Sequence, residues 1–278
     1  MKKGISYWML EGGLEAKLPV FDAIDKAHML GFDSIELCIA SKGVLTDRIT
    51  ETECEEIYSY AKKKGIEISS LASGQSWETS PTSNDEKIRE QMTAFTKTAL
   101  RVANWLGVDA YLLVPGAVDV FFMPDGEVVP YDVCYQRAKD FVSSLIETAE
   151  ECGVCICIEN VWNKFLLSPL EMRDFIDGFA SERVGSYFDI GNVIQTGYPE
   201  HWIRILGKRI KRVHIKDFEN GKVGAEGFVD LGDGDVDFSQ VKTALEQIGY
   251  DGYVTAEILP YESGRPERTA KVLNDIFR

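Results

Sequence analysis

The stretch that decides the fold runs from Val184 to Asp217: VGSYFDIGN (184–192), a helical segment, then RIKRVHIKD (209–217). Each half is a short apolar run that closes on a residue able to bind a metal, Asp189 in the first and His214 in the second. Turn-forming or polar residues follow both at once. The neighbouring runs repeat the pattern: VCICIE (154–159) ends in Glu159, and GYVTAEI (252–258) places Glu257 near its end. Ligand-type residues at the carboxyl ends of consecutive buried strands are how a parallel β/α barrel builds a site on its top face.

Working outward, short apolar runs alternate with longer helical patterns about eight times. The spacing predicts strands at 4–8, 34–39, 66–71 and 109–114, then 154–159, 184–189, 210–215 and 252–258. Between them lie amphipathic stretches such as LPVFDAIDKAHML, with Pro19 near its start and Gly31 as its stop, and a longer one from Asp85 to Leu106 that Gly107 ends. Eight such units predict an α/β fold, a single (β/α)8 barrel of parallel strands and outer helices, with residues 1–278 forming one domain. An open doubly wound sheet is the rival, but no glycine-rich phosphate turn follows the first strand.

Side-chain parity sharpens this reading, because successive strand residues point to opposite faces. With Glu159 inward, Cys157 and Cys155 are inward too, and Val154, Ile156 and Ile158 face the helices. The same count puts Asp189 and Tyr187, His214 and Arg212, and Glu257 inside the barrel. Arg212 then sits one layer below the ligands, where a buried guanidinium needs a carboxylate. Counting along the third strand makes Glu67 the expected partner, or else another strand carboxylate; the bland alternative is that Arg212 reaches water at the open bottom.

Composition bounds the function. The chain has 278 residues, 45% hydrophobic and 27% charged, enough for a sizeable core. A net charge of −15 argues against a nucleic-acid partner, which needs clustered Lys and Arg. No apolar run approaches the roughly 20 residues that span a membrane. The start MKKGISYWML lacks the apolar core of an export signal, so the expectation is a cytoplasmic protein whose six cysteines stay reduced. Cys152 and Cys155 have CxxC spacing but no second pair, and packing explains them better than zinc. His28 and His201 fall in helical patterns and read as surface or packing residues.

The combination IEN, FDIGN, HIKD, LGDGDVDF and a closing AEI resembles the sugar-phosphate isomerase/epimerase group of xylose-isomerase-like barrels, with most likeness to ketose 3-epimerases. The likeness covers nearly the whole chain and is most specific in its C-terminal half. It implies that Glu159, Asp189, His214 and Glu257 bind one divalent metal ion, Mn²⁺ first, with Mg²⁺, Co²⁺ or Zn²⁺ as alternatives. It implies further that Glu159 and Glu257 are the catalytic acid/base pair. The chain departs from the tagatose-epimerase pattern at Asn192, three residues after Asp189, where those enzymes carry histidine and phosphorylated-pentulose epimerases are similar to this chain. A small sugar and a sugar phosphate therefore both remain open as substrates, and a homo-oligomer, dimer or tetramer, is the expected assembly.

The chemistry needs these residue types. Three carboxylates and one imidazole make a hard, mostly oxygen site. A metal chelating a ketose carbonyl and its adjacent hydroxyl stabilises an enediolate, and inversion at C3 needs a base on either side of the sugar. An aldose–ketose isomerase, or a metal-dependent dehydratase or lyase, would use the same ligands. An apurinic endonuclease would need a histidine-rich zinc cluster, and this chain has only three histidines. A catalytically dead sugar-binding barrel would not keep both bases.

Further residues follow from location. Trp8, Trp77 and Trp162 lie in loops after the first, third and fifth strands, where Trp8 and Trp162 are candidate platforms for a sugar. Asn192 and Lys216 follow ligand strands and are candidate partners of substrate hydroxyls. Inward-facing Glu36 is a candidate for a substrate hydroxyl or for support of a ligand. Lys42, Lys164 and Arg265 are the loop cations available to a phosphate. Gly232-Asp-Gly234 reads as a close backbone passage near the site, and Asp237 with Gln240 as a capping box.

Overall fold

The computed structural model describes residues 1–278 except Phe121, Pro124, Asp125 and Val223. Eight parallel strands close into a barrel: β1 (Lys2–Ser6), β2 (Ser34–Cys38), β3 (Glu67–Ala72), β4 (Ala110–Leu113), β5 (Cys155–Glu159), β6 (Val184–Asp189), β7 (Ile210–Ile215) and β10 (Tyr253–Ala256). Neighbours run in chain order, and β10 closes the ring between β7 and β1. A two-residue antiparallel ribbon, β8 (Asp217–Phe218) with β9 (Phe228–Val229), stands apart from the barrel. The helices are α1 (Val20–Met29), α2 (Glu51–Lys64), α3 (Gln75–Glu78), α4 (Glu86–Trp105), α5 (Tyr131–Cys152), α6 (Pro169–Asp177), α7 (Pro199–Leu206), α8 (Phe238–Gln247) and α9 (Arg265–Ile276).

Strands β6 and β7 span the predicted residues, and β4 and β5 begin one residue late. β2 and β4 stop one residue early, β3 lies one residue later, and the first and last strands shift most. The first strand starts at Lys2, and Tyr7–Met9 already forms a 3₁₀ turn. The last strand stops at Ala256, so Glu257 lies one residue past it. Local chemistry sets the helix ends as expected: Pro19 precedes α1, and the Asp85 side chain accepts from Lys87 N to cap α4. Asp237 caps α8 through Gln240 N at 3.0 Å, but the Gln240 amide returns to the Asp237 carboxylate at 2.8 Å rather than to its backbone. The full reciprocal box occurs instead at Thr50 and Glu53, at the start of α2.

The apolar core lies between barrel and helices. Ile5, Ile35, Ile156, Val213 and Val254 are fully buried on the outward parity, among helix residues such as Ala23, Ile24, Val142 and Val241. Inside the barrel the layers are polar. A Cβ on Gly4 would lie 2.7 Å from Ser34 Oγ and 2.9 Å from Thr255 Oγ1, so β1 has room for no side chain at that level.

Two β-bulges interrupt the parity count. Glu36 pairs with Ser70 although Ile35 pairs with Ile68, so Ser69 is an extra residue in β3. Tyr187 pairs with Arg212 although Ser186 pairs with Ile210, so Lys211 is an extra residue in β7. Arg212 caps both irregularities: its Nε donates to Ser69 O at 2.7 Å and its Nη1 to Lys211 O at 2.7 Å. Its Nη2 meets the Asp109 carboxylate, and the guanidinium lies over the Tyr253 ring. The expected Glu67 partner is corrected: Glu67 turns to Lys2 Nζ at 2.7 Å and Tyr253 Oη at 2.5 Å, because the Ser69 bulge lies between it and the inner layer.

The Gly232-Asp-Gly234 passage serves Asp217 rather than the site itself. The buried Asp217 carboxylate accepts from the backbone N–H of Phe218 (2.9 Å), Gly232 (2.8 Å), Gly234 (3.1 Å) and Val236 (3.2 Å). A Cβ at Gly234 would come within 2.3 Å of Asp217 Oδ1, which excludes any side chain there.

Arg212 is about 10% exposed while its partner Asp109 is 75% exposed. Arg212→Met is therefore expected to cost about 1–3 kcal/mol, since it leaves two buried carbonyls without a donor. Asp109→Asn, at a solvated carboxylate, should stay within about 1 kcal/mol. Urea unfolding of the two variants checks this, and equal losses in both would contradict the bulge-capping role.

Candidate metal centre and active site

The strand ends bring four side chains together at the top of the barrel. Ligand atoms of Glu159, Asp189, His214 and Glu257 all lie within 4.8 Å of one another, and all four residues are buried. His214 Nδ1 is 3.2 Å from Glu257 Oε2, 3.5 Å from Glu159 Oε1 and 3.8 Å from Asp189 Oδ2. Asn160, next to Glu159, holds the ends of β5 and β6 in register. Its Nδ2 donates to Asp189 O at 2.8 Å and its Oδ1 accepts from Asp189 N at 2.9 Å. Asp189 Oδ1 accepts from Asn192 N at 2.8 Å, which leaves Oδ2 turned to the centre.

Asp189 Oδ2, His214 Nδ1 and Glu257 Oε2 are buried without a hydrogen bond. Buried polar atoms are normally paired, so three orphans facing one another fit a cation that the donor set would hold. The set, three carboxylates and one imidazole, suits a divalent ion. The Lys216 ammonium lies beside the centre, 2.6 Å from Glu257 Oε2 and 2.9 Å from Asp189 Oδ2, close in distance though not aligned for hydrogen bonding.

Burial and charge split the two glutamates. Burial pushes the Glu159 carboxyl up to about 7, and the neighbouring Glu257 charge adds to it. Burial acts on Glu257 as well, but Lys216 and His214 outweigh it and hold Glu257 down to about 2. Burial also raises Asp189. His214 is raised well above its ordinary value: burial opposes its charge, but Glu36 and Glu257 prevail.

A pocket of about 610 Å³ opens over the centre, lined by Glu159, Glu257, Lys216, Asn192, Trp8 and Trp162 among others. Trp162 stacks on Phe228 at 4.9 Å and donates from Nε1 to Asn192 O at 2.7 Å. Asn192 is committed in turn, with Nδ2 donating to Asn160 O at 2.9 Å. Trp77 and Phe122 pack edge to face on the far wall. Glu36, a candidate substrate contact, is not at the pocket surface. It is fully buried behind His214, with Oε1 3.0 Å from His214 Nε2.

Of the loop cations, Lys164 is paired with Asp119 at 2.5 Å and Arg265 with Asp230 at 2.6 Å; Lys42 lines the pocket. A second hollow, about 810 Å³, lies where Asp109, Arg183, Lys211 and Arg212 mark the other end of the barrel, away from these donors. The sequence reading missed Phe228, Asn160 as a clasp, and Tyr187 and Ser70 as partners of Glu36. Phe228 arrives on a long loop that carries no periodic signal, whereas inward parity at Tyr187 was available.

A closed parallel barrel gathers four residues able to hold a metal ion at its carboxyl-end face. The family model of the xylose isomerase-like TIM barrel matches residues 24–275, and the chain belongs to that family. It is 27% identical to a D-psicose 3-epimerase of Enterocloster bolteae over 99% of this chain and 88% of that protein. It is 22% identical to a fructoselysine 3-epimerase of Escherichia coli O157:H7, over 94% of each. In structure it is similar to a D-psicose 3-epimerase from Clostridium cellulolyticum H10 crystallised with D-tagatose, with a TM-score of 0.81 and 19% identity over 100% of this chain and 98% of that one. Among the described residues no helix is long and apolar enough to cross a membrane.

Metal uptake by these donors is expected to release protons, since Glu159 and His214 both hold protons near neutral pH without the ion. Falling pH through about 7 protonates Glu159 and weakens binding, by up to about tenfold per pH unit for each proton that metal uptake releases. Calorimetric titration with Mn²⁺ in buffers of different ionisation enthalpy checks both effects. Affinity independent of pH between about 5.5 and 7.5, with no proton release, would contradict them.

Proposed function

We propose that this protein is a divalent-metal-dependent 3-epimerase of a small ketose or ketose phosphate. The observation that carries the reading is the pair Glu159 and Glu257, two carboxylates that reach one pocket from β5 and from the end of β10. The ketose 3-epimerases among its relatives support it.

Glu159, Asp189, His214 and Glu257 would hold the ion, which polarises a ketose carbonyl and steadies the negative charge that builds as the neighbouring proton leaves. The chain's own groups do the rest. Glu257, kept ionised by Lys216 and His214, takes the C3 proton from one face of the sugar. Glu159, the second carboxylate at the pocket, returns a proton to the other face, and exchange with solvent resets the protonation of the pair. In the reverse direction the two exchange roles. Lys216 Nζ reaches a substrate oxygen, and Trp8 and Trp162 give the apolar face of the sugar a dry wall. Mn²⁺ is the ion we favour; Mg²⁺, Co²⁺ and Zn²⁺ also suit the donors.

The test is a panel of ketoses and ketose phosphates incubated in D₂O with the Mn²⁺-loaded protein and followed by NMR. The expected result is deuterium at C3 together with the C3 epimer. Deuterium at C1 with an aldose product would mean an isomerase, and loss of water would mean a dehydratase. Chelation should abolish turnover and Mn²⁺ restore it. Glu159→Gln and Glu257→Gln should each lose about 10²–10⁴-fold in epimerisation with the fold intact. Near-normal turnover by either variant with metal bound would contradict the two-base mechanism.

A further inference from the structure

Glu36 has no exposed surface and no access to the pocket, yet it is fully committed by hydrogen bonds. Its Oε1 lies 3.0 Å from His214 Nε2, while its Oε2 accepts from Tyr187 Oη at 2.5 Å and Ser70 Oγ at 2.9 Å. Tyr187 Oη and Ser70 Oγ are themselves 3.0 Å apart. The four residues come from β2, β3, β6 and β7, so the network crosses the barrel interior from one side to the other.

We propose that Glu36, held by Tyr187 and Ser70, is the positioning residue of the metal centre: it fixes His214 in the form whose Nδ1 is free to bind the ion. The proposal rests on the metal-binding reading above and extends it to a residue outside the ligand set.

The argument is one of donors and acceptors. A neutral imidazole carries one N–H, and an ionised carboxylate can only accept. With Glu36 against Nε2, the one proton that the ring keeps when it binds the ion belongs on Nε2, and the lone pair falls on Nδ1. Nδ1 is the ring atom that faces Glu159, Asp189 and Glu257 and has no hydrogen bond. A carboxylate behind a ligating imidazole also makes the ring a stronger ligand. Tyr187 and Ser70 both donate to the other oxygen, so Oε1 is the one that remains for His214. The Tyr187 ring packs 4.4 Å from the imidazole and fixes its tilt as well. A purely structural role would need only a satisfied buried carboxylate, with no reason for it to sit on the far nitrogen of a ligand.

The test measures Mn²⁺ affinity by calorimetry, and the His214 ring nitrogens by ¹⁵N NMR in metal-free and Zn²⁺-loaded protein. Glu36→Gln keeps the shape and removes the charge; Mn²⁺ affinity should fall about 10–100-fold. In the unsubstituted protein the His214 Nε2 proton should be protected from exchange, and in Glu36→Gln that protection should be lost or reduced. Tyr187→Phe keeps the charge but removes one of the two donors that hold Glu36 Oε2, and should weaken Mn²⁺ several-fold. It also keeps the test decisive should Glu36→Gln fail to fold. Affinity within twofold of the parent in the folded variants, with an unchanged ring signature, would overturn the proposal. Absence of Mn²⁺ binding in the parent would instead overturn the metal-binding reading itself.

Discussion

Three carboxylates and an imidazole face one another, largely buried at the floor of the pocket, and the rest of the barrel is arranged around that fact. Like charges this close repel, and burial denies them hydration. Lys216 lends positive charge from one side, and Glu36 holds the proton of His214 from the other. Even so, Asp189 Oδ2, His214 Nδ1 and Glu257 Oε2 keep no hydrogen bond, which fits donors able to hold a cation. The Asn160 clasp, the committed Asn192 and the Trp162 stack can be understood as the framing that keeps the strand ends from relaxing away from this strain.

The polar centre reaches down into the barrel. Interiors of such barrels are usually layers of bulky aliphatic side chains. Here Glu36, Tyr187 and Arg212 occupy those layers, and Gly4 gives way to the Ser34 and Thr255 hydroxyls of the flanking strands. The stabilising apolar contacts are therefore shifted outward, to the interface where Ile5, Ile35, Val213 and Val254 meet the helices. This separates the two tasks of the fold: the outer layer holds the barrel closed, and the interior can be given to hydrogen bonds that orient ligands. Arg212 shows how irregular strands are tolerated, because one guanidinium satisfies the carbonyls of two bulges.

The clustering of Glu159, Asp189, His214 and Glu257 was legible because each lies at the end of an apolar run and shares the inward parity of its strand. Period-two alternation is a local property, and it survives wherever a strand is regular. It fails across a bulge, which costs one residue and leaves no mark in composition; Ser69 and Lys211 are why Glu67 was the wrong partner for Arg212. Depth is also invisible to parity. Glu36 was inward as expected, but whether it met substrate or ligand depended on how far down β2 it lay relative to His214. Loop geometry was the least legible part. Phe228 under Trp162, and the four N–H groups gathered by Asp217, are set by chain paths with no periodic pattern to follow.

On the proposed function, this polar interior holds one divalent cation. Anomalous diffraction from crystals grown with Mn²⁺ tests it most directly. The expected result is a single strong peak bounded by Glu159, Asp189, His214 Nδ1 and Glu257, with Lys216 moved no farther than its neighbours require. A map with no peak among these four residues at saturating Mn²⁺, or with the ion held elsewhere in the barrel, would contradict it.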